Sequence, residues 1–216
     1  MLSSPEFDHP PEVGVEQTES ASAAPTPEAS SQATSLPESS SVMTSGPSQG
    51  SVAPAVSPRG EPVRVVITRG EEIVLDREIT GSIRLRPVGD ELWLVPPRGV
   101  VNWVNDPRLV GAKPGFPGSA MLAGHISQAG KPGPFYGLTQ TQLGDTVTVA
   151  YDSGDRVTGP VEDILRPEKL DLPVEKIRSG DKPVLWLVTC DPSTPFVNGH
   201  YLGNVLVYVG QLTVSR

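Results

Sequence analysis

An all-β fold is what this sequence predicts, and three observations predict it. Short apolar runs rich in Val, Ile and Thr recur between residues 62 and 214. Turn residues punctuate them, with 22 glycines and 24 prolines in 216 residues. Apolar spacing of the helical kind is scarcely present. Seven or eight strands at short spacing, without internal repeats, predict a barrel or a sandwich.

The strands are expected over residues 61–216. Residues 1–60 differ in kind: seven acids stand against one base, Arg59, and Phe7 is the sole aromatic. From Glu19 to Pro58 the chain is mostly Ser, Ala, Pro, Thr and Glu. Such a stretch buries too little apolar surface to offset its chain entropy, so a disordered linker is expected. The composition also suits a stalk outside the cell.

Pro62–Thr68 is rich in β-branched residues and opens the set. Arg69–Glu72 reads as a turn, with Ile73–Leu75 as a returning strand. Ile83–Arg86 is a weaker strand. Glu91–Val95 alternates and ends at Pro96-Pro97, which lack N–H groups for a ladder. Val100–Val104 follows, then a loop punctuated by glycine and proline over 111–118. Ser119–His125 is small and apolar, as a buried strand should be. Thr146–Tyr151 and Arg156–Leu165 flank the turn Ser153-Gly154-Asp155. Residues 167–178, with Pro173 inside, allow short helices at most. Val184–Cys190, a loop over Asp191–Phe196, Asn204–Val209 and a short run at Leu212–Val214 complete the chain.

Charge narrows the function. The net charge is −8, and residues 61–216 contribute only −2 of it, with no basic block. Nucleic acid is therefore not an expected partner. One cysteine and two histidines outside the linker, His125 and His200, give no metal-ligand spacing. No apolar run of 18 residues is present, and the first residues lack the basic and apolar regions of a signal peptide. That leaves a cytosolic protein, or one whose anchor lies upstream of the given start.

Cys190 and His125 each stand at the C-terminal end of an apolar strand, just before a turn-rich loop. If those strands are neighbours, both side chains open at one rim. An imidazole there can promote the thiolate and later protonate a leaving group. The bland alternative is a small buried cysteine and a satisfied histidine. Spacing alone leaves both open. His200 can sit over the same mouth or cap a turn, and His9 lies in the linker.

The segment Pro117-Gly118-Ser119-Ala120-Met121-Leu122-Ala123-Gly124-His125 resembles the histidine strand of sortases, and Leu187-Val188-Thr189-Cys190 resembles their strand ending at the nucleophile. Phe135-Tyr136, Val95-Pro96-Pro97 and Trp103 also fit, most of all the class F sortases of actinobacteria. The likeness covers roughly residues 62–210. It implies an eight-stranded β-barrel with few short helices. It implies a monomeric cysteine transpeptidase on the outer face of the membrane, without a cofactor. Such an enzyme cleaves a C-terminal sorting signal similar to Leu-Pro-x-Thr-Gly through a thioacyl intermediate. An amine of a cell-wall precursor or pilin then accepts the acyl group. By the same resemblance Cys190 is the nucleophile, His125 the acid/base, and Thr189 shapes the substrate groove.

Two departures stand out. After Gly199-His200-Tyr201 the family pattern has a catalytic arginine, and this chain has Leu202. Asp191-Pro192 stands where two glycines are common. The missing arginine leaves open a substitute donor (His200, Arg84 or Arg86), a slow enzyme, or a binding module that holds a peptide without turning it over.

Overall fold

The structure is a computed structural model, and it describes residues 56–178 and 180–216. The linker expected over 1–60, with His9, lies outside the described residues as far as position 55. The first hairpin pairs β1 (Pro62–Arg69) with β2 (Glu72–Ile83). Val65 and Ile67 of β1 are fully buried, whereas Arg64 points outward. β2 is much longer than the expected Ile73–Leu75. Only Leu75 and Ile79 of it are buried, so most of the strand shows no apolar alternation. Two short strands, β3 (Arg86–Val88) and β4 (Glu91–Trp93), form a separate hairpin. β3 thus begins at Arg86, where the strand expected over Ile83–Arg86 was to end. Ile83 closes β2 instead.

β5 (Val101–Val104) and β6 (Ser119–Ala123) are buried at every position. The pair β7 (Ser127–Gln128) and β8 (Lys131–Pro132) and a 3-10 turn at Tyr136–Gln140 lead onward. Next come β9 (Thr146–Tyr151) and β10 (Arg156–Leu165), with the expected bounds. Residues 167–178 hold only a 3-10 turn, Lys169–Asp171, and a five-residue helix, α1 (Val174–Arg178). The chain ends with β11 (Val184–Val197), β12 (His200–Val209) and β13 (Thr213–Ser215).

The sheet order is β12-β11-β6-β5-β2-β1-β9-β10-β13, and β10 also pairs with β12. That last pairing closes eight strands into a barrel and leaves β13 at the edge. β10 manages both contacts by changing partner along its length. Residues 156–160 lie against β9, and Val161–Leu165 lie against β12. Closure removes the open ladder edges that would invite pairing with another chain. Two neighbouring pairs are parallel, β2 with β5 and β6 with β11.

Side chains alternate between two cores, as the two-residue period of a strand requires. Ala120, Leu122, Leu185, Leu187, Val205 and Val207 fill the barrel interior. Met121, Ala123, Trp186, Val188 and Leu206 face outward under Ile177 of α1, Leu94 and Leu165. Burying each aliphatic side chain contributes about 1.5–3 kcal/mol before chain entropy is charged against it. Strands buried on both faces explain the near-continuous apolar runs at 119–123 and 184–189. No helix among the described residues is long and apolar enough to cross a membrane.

The expected loop over Asp191–Phe196 is a departure. β11 runs on to Val197, and the reversal is a two-residue turn with Asn198 at φ 50° and Gly199 at φ 85°. Positive φ at both residues marks a type I′ hairpin turn, and Asn-Gly is its preferred pair. Residues 192–195 instead bulge from the ladder between Asp191 and Phe196.

Candidate active site

The parallel pairing of β6 with β11 sets the site. Its register runs without a shift from Val184 opposite Ser119 to Val188 opposite Ala123. The Gly124 N–H donates to the Val188 carbonyl at 3.3 Å, which carries the contact one residue further. Carried two residues past the last register pair, the same offset matches Cys190 with His125, which follows the end of β6 at Ala123. Met121, Ala123, Trp186 and Val188 all face the outer core, so Cys190 and His125 follow them onto the outer face of the barrel. Cys190 is a free thiol of intermediate exposure.

His125 is held from above. Its Nε2 lies 2.8 Å from the carbonyl oxygen of Pro96. A carbonyl only accepts, so Nε2 carries the proton and Nδ1 remains the basic nitrogen. Trp93, three residues before Pro96, meets the His200 ring edge-on with centroids 5.4 Å apart. His200 belongs to β12 and His125 follows β6, with β11 between them. The span from Trp93 to Pro96 therefore bridges the strand that carries Cys190. Leu94 within it packs on the outer core.

On the other flank Cys190 is directly opposite Asn204 of β12. The Asn204 N–H donates to Pro167, away from β11, at 2.9 Å. Cys190 and Asn204 thus form a non-hydrogen-bonded pair of the ladder, the kind whose side chains approach more closely. Asn204 is 9% exposed. Leu202, two residues earlier and on the same face, is 39% exposed. It stands opposite the bulge and has no partner in the register.

The bulge is built by Asp191. Its carboxylate accepts from the Ser193 N–H at 2.9 Å and the Ser193 hydroxyl at 2.7 Å. The Thr194 hydroxyl donates to the Asp191 carbonyl and accepts from the Gly203 N–H. Arg166 pairs with the same carboxylate at 2.9 Å. Burial pushes the Asp191 carboxyl up, but the bonds from Ser193 and Arg166 outweigh it, so the group titrates below the usual range. An aspartate in place of glycine therefore has a structural task here. The register puts Arg166 beside Val205, on the barrel's inner side, so this guanidinium does not stand in for the arginine replaced by Leu202.

Of the remaining expected residues, Thr189 is 3% exposed and faces the barrel interior, with no partner for its hydroxyl. Its neighbour's thiol opens on the opposite face, so Thr189 does not line the surface beside Cys190. His200 shares the face of Asn204 but sits four residues up the strand, about 13 Å at strand rise. Arg84 and Arg86 are exposed; Arg86 is cross-strand from Trp93. Among the described residues no group of three His, Cys, Asp or Glu side chains gathers to hold a metal. A cleft of about 490 Å³ lined by Arg64, Asp76, Arg77 and Pro134 does not include Cys190, His125 or Asn204. Asn204 is the residue that sequence reasoning passed over; only the ladder register brings it beside the thiol.

Comparison with known proteins adds the family. No curated protein matches. Among solved structures, the catalytic domain of B. anthracis SrtD is 19% identical, covering 79% of this chain and 97% of its own, with a TM-score of 0.46. Sortase C1 of Streptococcus suis is 17% identical over 69% of this chain and 72% of its own, with a TM-score of 0.44. Sortase A of Listeria monocytogenes is 12% identical over 72% and 91%, with a TM-score of 0.42. A sortase domain model matches residues 87–211, more than half the sequence and including β6, β11 and β12. The chain belongs to the sortase family.

Proposed function

We propose that the protein is a sortase-type cysteine transpeptidase in which Cys190 is the nucleophile and His125 the acid/base. The observation that supports this reading is the parallel register of β6 and β11, whose offset, extended by two residues, matches Cys190 with His125. His125, with Nε2–H on the Pro96 carbonyl, presents Nδ1 as the nitrogen free to take the thiol proton. The thiolate then attacks the scissile carbonyl carbon, and the carbonyl π pair moves onto oxygen. Collapse breaks the C–N bond, and the imidazolium protonates the departing amine. A second amine attacks the thioacyl carbon, gives its proton to the imidazole and releases Cys190.

The substrate in this reading is a sorting signal similar to Leu-Pro-x-Thr-Gly. The acceptor is an amine of a cell-wall precursor or pilin. The motifs at Ser119–His125 and Leu187–Cys190 favour a class F enzyme of an actinobacterial type. Residues 1–60 then serve as a linker that holds the barrel off the outer membrane face. The test is a thiol-directed probe read by peptide mass, together with a panel of sorting peptides. Cys190 should be labelled and a peptide cleaved or transferred, with both lost in Cys190→Ala. Identical behaviour of wild type and Cys190→Ala would refute the reading.

A second reading is a sortase-like module that binds peptide without turnover. Leu202 favours it, because a leucine side chain donates no hydrogen bond to an oxyanion. Saturable peptide binding without cleavage or acyl-enzyme would select this reading.

A further inference from the structure

We infer that the Asn204 side-chain amide is the oxyanion donor at Cys190, in the role that Leu202, standing where the family pattern has arginine, cannot fill. The inference rests on the reading of Cys190 as the nucleophile. Three observations support it. First, Asn204 is the residue directly opposite Cys190, and the pair is of the non-hydrogen-bonded kind. Such partners have Cβ atoms roughly 4.5–5.5 Å apart, with side chains on one face. A short amide in that place reaches the space just above the thiol.

Second, Asn204 is nine-tenths buried, yet its side chain makes no hydrogen bond among the described residues. An amide brings two N–H donors and a carbonyl, and here neither amide atom is shut off from solvent, so the donors stay open to a bound ligand. The surroundings are apolar, since Leu206 follows on the same face and Val188 and Trp186 continue the strand beyond Cys190. A purely structural position between them would suit Val or Leu. A polar group held ready beside the thiol suits a ligand that supplies the missing acceptor.

Third, the neighbouring positions offer no free donor in its place. Arg166 is bound to Asp191 on the inner side, and Leu202 has no donor. In the tetrahedral intermediate the C–S bond has formed and the former carbonyl pair sits on oxygen. An Asn204 N–H donating to that oxygen stabilises the charge. On collapse the pair returns to the carbonyl, the C–N bond breaks, and His125 supplies the proton to the amine. No further reactant is needed.

The experiment compares two reactions of Cys190 in the full chain. Acylation by 4-nitrophenyl acetate passes through an oxyanion. Alkylation by iodoacetamide is a displacement at carbon and builds none. Both are followed by the mass of the Cys190 peptide in wild type, Asn204→Ala and Asn204→Leu. The leucine variant keeps the branched outline of the side chain and drops the donors. Acylation should fall by about 10²–10³ in both variants, the loss typical of one removed oxyanion donor. Alkylation should be unchanged, which also shows that the site remains folded. Acylation as fast as wild type in either variant overturns the inference. Equal loss in both reactions overturns it as well, because the amide then acts on the thiol and not on the oxyanion. If Cys190 of the wild type reacts with neither reagent, the nucleophile reading fails and takes this one with it.

Discussion

Replacing Leu202 by arginine probes the donor arrangement most directly. Leu202 is 39% exposed and opposite the bulge, so its removal opens no closed core. Full burial of a leucine is worth about 1.5–3 kcal/mol, and the arginine stem recovers part of what Leu202 loses. The cost to stability should stay near 1 kcal/mol, a Tm shift of roughly 2–4 °C for a domain of this size. The new guanidinium lies on the face of Cys190 and Asn204, two residues from Asn204 along β12. An oxyanion donor is worth about 2.7–4 kcal/mol in the transition state. If Asn204 already donates to that oxygen, a second donor on the same atom adds less than the first, and the two effects are not additive. Leu202→Arg should therefore raise the acylation rate only modestly in the wild-type background. In Asn204→Ala it should recover roughly 10²-fold, most of the loss assigned to that donor. The assay is single-turnover acylation of Cys190 across wild type, both single variants and the double variant. The same fold-gain in both backgrounds would refute the idea of a shared oxyanion. No gain in either, with Tm preserved, would show that position 202 no longer points at the reacting carbonyl.

Two other perturbations test different parts of the structure. A methyl group on Gly133 would collide with the His125 carbonyl, so Gly133→Ala should push the imidazole off its line with Cys190. Acylation should drop by about 10²-fold while the fold persists, because displacement near 1 Å is that costly; an unchanged rate would mean His125 is not placed by this contact. The Arg59 guanidinium and backbone N–H hold the Asp155 carboxyl down at about 2. Its folded value lies below the unfolded value of about 3.9, so the stability it contributes is full above pH ~4 and is lost as pH falls toward ~2. Urea melts across that window should show a shallower decline for Asp155→Asn, and an identical slope would exclude this ion pair as a source.

How far the sequence was legible depended on the range of the interaction. β9 and β10 were visible with their bounds because alternation and the turn at 153–155 are local signals. β2 was cut short because Asp76, Arg77, Glu78 and Thr80 in its middle carry no apolar pattern. The Asn198-Gly199 turn was legible in principle, but Pro192 and Pro195 on its approach read as loop. Counting back from that turn would also mislead. Val197 pairs with His200, and an even ladder from there would place Cys190 opposite Val207. The bulge at 192–195 shifts the register by three residues and brings Asn204 there instead. That bulge is held by Asp191, Thr194, Arg166 and Gly203, which meet only in the folded chain.

The all-β class, the apolar runs that lead to His125 and Cys190, and the absence of arginine at 202 were determined by the sequence alone. Each depends on residue identity and on periodicity over a few neighbours. Barrel closure through β10, the parallel pairing of β6 with β11, and the choice of Asn204 as the neighbour of Cys190 were decided by tertiary structure. Strand pairing joins residues 65 apart between β6 and β11, and 14 apart across an irregular hairpin. No local pattern encodes such a register; packing of two cores and a side-chain-built bulge select it.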